Sequence, residues 1–311
     1  MLEIPISGFI EMRSVLSEYN LGSYPMTRVS IGNDDRIYCL FAESLYERTK
    51  QIFPKHRRYL AVSFDVNWYS GEVYGSELHD FGVRSDNIYF IHSIGENFLL
   101  ISLPLITSTM PYEEIRPDAN ALIVDRNGNI VRSFHLGDDL RGCIVDSQNN
   151  IIARYHAGKK YPFEPPISPS IIKWSETGEK LWEVNKEYDI DTFFAMNVDE
   201  QDNLWFRYDT YCGVNCLVKT DYQSDDHVSN IKGSVGFLIP KSQTAILFHM
   251  GWSSNDFCIM EMNNNRLMHS TDAKLVFGGN EINIWELSCR SSKAVFRDDN
   301  GDLFFLDWIH R

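Results

Sequence analysis

The chain has 311 residues, 43% hydrophobic and 13% aromatic, enough to bury a large core without disulfides. Its formal net charge is −14, from 29 Lys and Arg against 43 Asp and Glu. That balance, with no run of more than two consecutive Lys or Arg, argues against nucleic acid or an anionic membrane as partner. The first residues, Met1-Leu-Glu-Ile-Pro-Ile6, hold no basic segment followed by an apolar run, so no signal peptide is expected. No stretch approaches the ~18 apolar residues of a membrane span, and there is no Asn-x-Ser/Thr sequon. These features predict a cytoplasmic protein. Of the six cysteines, Cys39, Cys143 and Cys258 lie inside apolar runs, where a thiol behaves as a small buried hydrophobe, so free thiols are expected.

Residues 8–16 suit either a strand or a short helix, and 43–57 are the best helical candidate, stopped by Pro54. From Arg28 onward the chain repeats one unit, two apolar, aromatic-rich runs around a polar turn, which is the signature of a β-hairpin. The stretch 197–209 shows it most clearly: Val198, then Asp199-Glu-Gln-Asp202, then Asn203-Leu-Trp-Phe206. The turns centre near Asp34, Gly95, Gln148, Glu200, Ser242 and Asp299, so by subtraction the steps run from 42 to 61 residues. A unit that long needs a second hairpin, and one is visible at 121–131 and 171–182, with weaker copies at 59–73, 216–228 and 257–268. Pro-rich connections at 104–118 and 157–169, and shorter ones at 208–215 and 250–255, fall between first and second hairpins. All should emerge on one face, where function usually sits.

A loose period near fifty fits a propeller of four-stranded blades; a sandwich or barrel is the competing all-β arrangement. The blade pattern Asp-x-x-(Gly/Asp)-Asn-x-(Trp/Ile/Phe) resembles that of the six-bladed β-propellers of the NHL-repeat and gluconolactonase-like superfamily. The resemblance implies a six-bladed β-propeller and leaves activity open, because propellers host unrelated functions. No composition break divides residues 1–311, so one domain is expected. The last unit, with its hairpin at 294–304, lacks a second hairpin. The N-terminal segment is therefore expected to supply the missing strand or strands of the last blade and protect its edge.

Aligning the second strands of the first hairpins gives a fourth position occupied by Arg154, Arg207 and His249, with His156, Asp209, Trp252 and Asp307 just beyond. If these strand ends converge, they suit a small anionic or sugar-like ligand, since Arg binds carboxylate and phosphate in a bidentate way. Trp252 and Tyr161 would then be apolar platforms. The bland alternative is that strand ends are simply where polar residues surface. The leading expectation is a monomeric, non-catalytic binding or protein-interaction module without cofactor. The resemblance to gluconolactonase-like propellers also implies an alternative, a hydrolase with one divalent cation, usually calcium, in the central channel. Asp191, Asn197, Asn283 and Glu286 are candidate inward positions for it, but no motif matches that family residue by residue. Cys212-Gly-Val-Asn-Cys216 lacks the further ligands a zinc site needs, and nucleophile-elbow, P-loop and dinucleotide motifs are absent.

Overall fold

The computed structural model describes residues 2–43, 57–84, 87–102, 119–137, 140–155, 170–184, 188–212, 214–229, 236–243, 245–250, 255–263 and 266–308. Strands β1 (Leu2–Pro5) and β2 (Gly8–Ile10) come first, followed by helix α1 (Met12–Glu18). Met12, Val15, Leu16 and Tyr19 share one face of α1 and pack into the core, and the Met12 amide donates to Asp302 Oδ1 at 2.9 Å.

Four-stranded units follow. The first holds β3 (Met26–Ile31), β4 (Ile37–Ala42), β5 (Arg57–Val66) and β6 (Val73–Arg84). The second holds β7 (Ile88–Ile94), β8 (Asn97–Ser102), β9 (Ala121–Val124) and β10 (Ile130–Phe134). The third holds β11 (Leu140–Val145), β12 (Ile151–Tyr155), β13 (Ser170–Trp174) and β14 (Lys180–Glu183). The fourth holds β15 (Ile190–Val198), β16 (Leu204–Thr210), β17 (Asn215–Thr220) and β18 (Asp225–Ser229). The fifth holds β19 (Gly236–Leu238), β20 (Ala245–His249), β21 (Phe257–Asn263) and β22 (Arg266–Phe277), with the short β23 (Asn280–Glu281) folded back on β22. The last holds β24 (Glu286–Arg290), β25 (Lys293–Arg297) and β26 (Leu303–Asp307). Among the described residues these strands make six sheets, and neighbours within each unit are antiparallel.

The N-terminal segment touches two sheets. β2 pairs antiparallel with β26, Gly8 opposite Phe305 and Ile10 opposite Leu303, as the fourth strand of the last sheet. β1 runs parallel to β22 on the edge of the fifth.

Apolar side chains fill the gaps between consecutive sheets. Phe81 and Leu100 share a buried cluster between the first and second, Val145 and Leu99 between the second and third, and Ile152 and Phe206 between the third and fourth. Trp205 and Phe248, Leu247 and Phe296, and Phe305 and Phe41 share the clusters of the remaining three gaps, so the sixth sheet packs on the first. The strands β3, β7, β11, β15, β19 and β24 lie innermost and touch in that succession, with β24 against β3. This is a β-propeller.

The sequence pattern has a local cause. Asp125, Asp146, Asp199 and Asp298 each use Oδ1 to accept the amide two residues on and the amide four residues on, the latter at 2.8–2.9 Å. At three of these turns the Asn four residues on also donates its side-chain amide to the second carboxylate oxygen. The loop closes only if the third residue after the Asp has positive φ: 81° at Gly128, 63° at Asn149, 60° at Asp202 and 87° at Gly301. Gly, Asn and Asp are the residues that tolerate that region.

One expectation fails in register. The sequence pattern makes the hairpin at 294–304 the inner one of its unit. Instead β24–β25 is the inner hairpin, and the turn at Asp298–Gly301 joins the second and third strands. The connection missed is only two residues, Ser291 and Ser292, with Ser291 at φ 52°. It carries no Asp, Asn or Gly to mark it. For 8–16 both alternatives hold, a strand and then a helix. The helix candidate at 43–57 and the connections at 104–118 and 157–169 lie almost wholly outside the described residues. All six cysteines are free, with Cys39, Cys143 and Cys258 buried. Among the described residues no helix is long and apolar enough to cross a membrane.

Candidate functional site

The innermost strands surround a cavity of about 720 Å³. It sits toward the end where those strands start and where the second strands of the first hairpins end. Its charged lining, among the described residues, is Arg28, Arg141, Arg154 and Arg297 against Glu286. Four positive charges less one negative give +3, the opposite sign to the whole chain.

Three long polar side chains of the second strands stand opposite small residues of the innermost strands. Residues paired across an antiparallel ladder project to the same side of a sheet. Arg154 on β12 pairs with Gly142 on β11, Arg207 on β16 with Ala195 on β15, and His249 on β20 with Gly236 on β19. In these three sheets the innermost strand has a small residue at the position paired with the long polar side chain. In the sixth sheet the corresponding pair is Arg297 on β25 and Glu286 on β24. Arg297 is the fourth-position residue the sequence alignment missed. Placing β25 as a second strand would have found it.

The arginines differ in their partners. Glu286 is clamped between Arg28 Nη1 at 3.3 Å and Arg297 Nη2 at 3.1 Å, and the Arg28 guanidinium lies 3.7 Å over the Tyr89 ring. Burial lowers the Arg28 pKa, with Glu286 opposing. Arg154 instead donates to two backbone carbonyls, Phe193 O at 2.8 Å and Arg141 O at 3.0 Å. Burial and then the like charge of Arg141 push its pKa down to about 10. Arg207 stacks 4.4 Å over Phe194, a lining residue, and turns its head to Asp209 Oδ1 at 3.1 Å and to Asn215. Burial lowers the Arg207 pKa and raises that of Asp209, each opposed by the other's charge.

The opposite end of the axis is filled. Arg290 leaves β24 and donates to Val145 O on β11, three sheets away. Asn197, fully buried, donates to Phe237 O at 2.8 Å and Ser291 O at 3.0 Å and accepts the amides of Val198 and Ser291 at 2.8 Å. Asn33 donates to Asn149 Oδ1 at 2.9 Å. His92, by contrast, lines the cavity and is buried between the Ile31 and Cys143 main chains. Burial first, then the Arg290 charge, lower its pKa to about 4.

Of the residues singled out from sequence, Arg154 and His249 line the cavity, and Arg207 and Asp209 stand behind Phe194 at its rim. Asp307 does not join them. It pairs with Lys293 at the other end of β25 from Arg297 and accepts from Ser292. His156, Tyr161 and Trp252 lie outside the described residues. Lining groups that strand-end reasoning passed over are Arg28, Tyr89, Arg141 and the exposed Trp285. Cys212 is exposed and Cys216 is the second residue of β17, with no third donor beside them among the described residues.

The four candidate cation donors do not fit one ion. Asn197 is consumed at the filled end and Glu286 by two arginines. Asn283 accepts from Asn255 at 2.8 Å at the surface, and Asp191 is exposed near the start of β15. Among the described residues no three His, Cys, Asp or Glu side chains are grouped as a metal site would need.

No family model matches the chain, and no curated protein matches it. Solved structures do resemble its backbone course. One is a chain of the mitotic checkpoint complex, at 7% identity, covering 92% of this chain and 87% of that one, with a TM-score of 0.49. Another is the WD40 domain of Pan2 from Neurospora crassa, at 9% identity, 96% and 94% coverage, and 0.47. A third is the gluconolactonase XC5397 from Xanthomonas campestris, at 9%, 91% and 98%, and 0.43. Likeness of this degree concerns the propeller backbone alone.

Proposed function

We propose that the chain is a non-catalytic binding protein that takes its ligand or partner through the arginine-lined face. In this reading the six sheets are six blades of one closed ring in a single domain, with β2 sealing the last blade. The protein works as a monomer in the cytoplasm and needs no metal. The observation that carries the reading is the reversal of charge: the described lining of the cavity carries net +3 inside a chain of net −14. Such a site draws anionic groups and desolvates them against low-dielectric walls. A protein partner presenting acidic groups and a small anion both suit it. The filled far end supports the same view, because it leaves a pocket rather than a through-channel. Metal-assisted lactone hydrolysis is less well supported, since the oxygen donors it would need are spread apart and already engaged.

The test is site-specific photo-crosslinking in cells. A benzophenone side chain replaces Trp285, 70% exposed at the cavity, or Tyr74, 60% exposed on the outer strand β6. Adducts through position 285 and not 74 are the expected result. Adducts only through 74 would move the interaction to the rim of the disc and overturn the proposal.

A further inference from the structure

We propose, building on that reading, that the cavity is a site for a small organic oxyanion, carrying a phosphate or two carboxylates on a flat apolar body. Arg154 supplies the first ground. A partly buried guanidinium normally meets a carboxylate, because an unpaired charge held away from bulk water is costly. Among the described residues Arg154 meets only carbonyls, its Nε has no partner, and the nearest charge acting on it is the like charge of Arg141. An oxyanion there would relieve that repulsion.

The second ground is the paired blade opposite. Arg28 and Arg297 share one carboxylate, so that group of three is still cationic. A ligand bridging from Arg154 toward Arg28 meets positive charge on both sides of the axis. This favours two anionic oxygen groups, or one dianion, over a single carboxylate.

The third ground is shape. The volume of about 720 Å³ lies within the range of small-molecule pockets, ~300–1,000 Å³, far more than inorganic phosphate fills. Phe90, Phe194 and Trp285 give the wall an aromatic character. Arg290 and Asn197 close the bottom, so the occupant ends inside the pocket.

The experiment is calorimetric titration of the full chain with phenyl phosphate, isophthalate, inorganic phosphate and neutral benzamide, at low salt and at high salt. Expected is saturable binding of phenyl phosphate or isophthalate, tighter than inorganic phosphate by about tenfold and weakened by salt. The preferred head group tells phosphate from dicarboxylate. Arg154→Met should lose about tenfold or more in affinity, while Arg132→Gln, on the exposed strand β10, should not change it. Should Arg154→Met fail to fold, Gly142→Val, which fills the space Arg154 crosses, must show the same loss. Binding of none of the anions at millimolar concentration, or equal binding by the variant, overturns the inference. Crosslinking to a protein through position 285 that the anions do not compete would sink this inference alone. The absence of any adduct there together with no binding of any of the anions would sink the broader reading as well.

Discussion

Arg154 reaches the central cavity by lying across Gly142, the residue paired with it on the neighbouring strand. A Cβ added at Gly142 would come 3.1 Å from Arg154 Nε and 3.3 Å from Met196 Cε. The glycine is required here by the close approach of a guanidinium, and not by the backbone. Ala195 and Gly236 are likewise the small partners of Arg207 and His249 in the ladder, and Gly236 makes room for Leu287, whose Cδ2 a Cβ there would approach to 2.6 Å. Small residues on the innermost strands are therefore part of the site.

Two variants separate the role of Arg154 in the site from its role in the fold. Arg154→Met keeps the length of the side chain and removes a desolvated charge. Replacing buried ions with apolar groups of similar shape is often neutral or stabilising. The expected urea midpoint is equal to or above that of the wild type. Gly142→Val forces Arg154 and Met196 to give way and should cost about 1–3 kcal/mol, as overpacking usually does. If Arg154→Met proves clearly destabilised, the guanidinium is chiefly a structural bridge to Phe193 O and Arg141 O.

The Asp-headed turns predict a contrast. Asp146 and Asp125 close the same loop, but Asp146 is fully buried and also holds Lys173 Nζ at 2.9 Å, which lies 3.8 Å over the Tyr222 ring. Asp146→Ala strands a buried ammonium and should cost about 3–5 kcal/mol. Asp125→Ala, at an exposed turn, should cost much less. Chemical denaturation of the two variants checks the ranking. Equal losses would mean that the turn hydrogen bonds, and not the ion pair, carry the stability.

Much of this architecture is legible in the sequence because the turns are covalently local. An Asp, a left-handed residue and an Asn within five positions announce a hairpin wherever they occur, and 125–129, 146–150 and 199–203 all do so. The strand-to-strand step at Ser291–Ser292 has no such marker, and missing it displaced the sixth unit by one strand. That single slip hid Arg297 and promoted Asp307. Arg28, Tyr89 and Arg141 were hidden for another reason. They lie at the starts of innermost strands, and their convergence depends on sheets distant in sequence: Arg28 meets Glu286 from 258 residues away. Charge at those positions reads as ordinary strand-end polarity until the ring brings the ends together.

His92 gives the fold an acid limit. Its folded pKa of about 4 lies below the ordinary value of 6.5. The unfolded chain therefore binds the proton more readily over that interval, and stability falls as pH drops from about 6.5 toward 4. At roughly 1.4 kcal/mol per unit, the loss by pH 4.5 is of the order of 2–3 kcal/mol. The charged groups acting on the ring from the surrounding strands reduce to Arg290, which holds the neutral form. Urea midpoints at pH 7.5 and pH 4.5 should converge more in His92→Gln than in the wild type. An unchanged acid loss in the variant would assign it to carboxylates elsewhere.

The N-terminal clasp depends on two glycines packed backbone to backbone. A Cβ at Gly8 would come 2.6 Å from Gly71 O as well as into the Phe305 ring, and Gly71 itself holds φ 77°. A carbonyl fixed in the turn between β5 and β6 cannot retreat as a side chain would. Gly8→Ala is therefore expected to lift β2 from β26, and an exposed strand edge invites pairing with other chains. The expected result is faster hydrogen exchange at residues 7–10 and a loss of about 1–3 kcal/mol. Gly22→Ala is the control, because nothing lies within 4 Å of the added methyl. If Gly8→Ala exchanges like the wild type, the clasp is held by Ile4, Ile6 and Ile10 in their apolar clusters rather than by the ladder between β2 and β26.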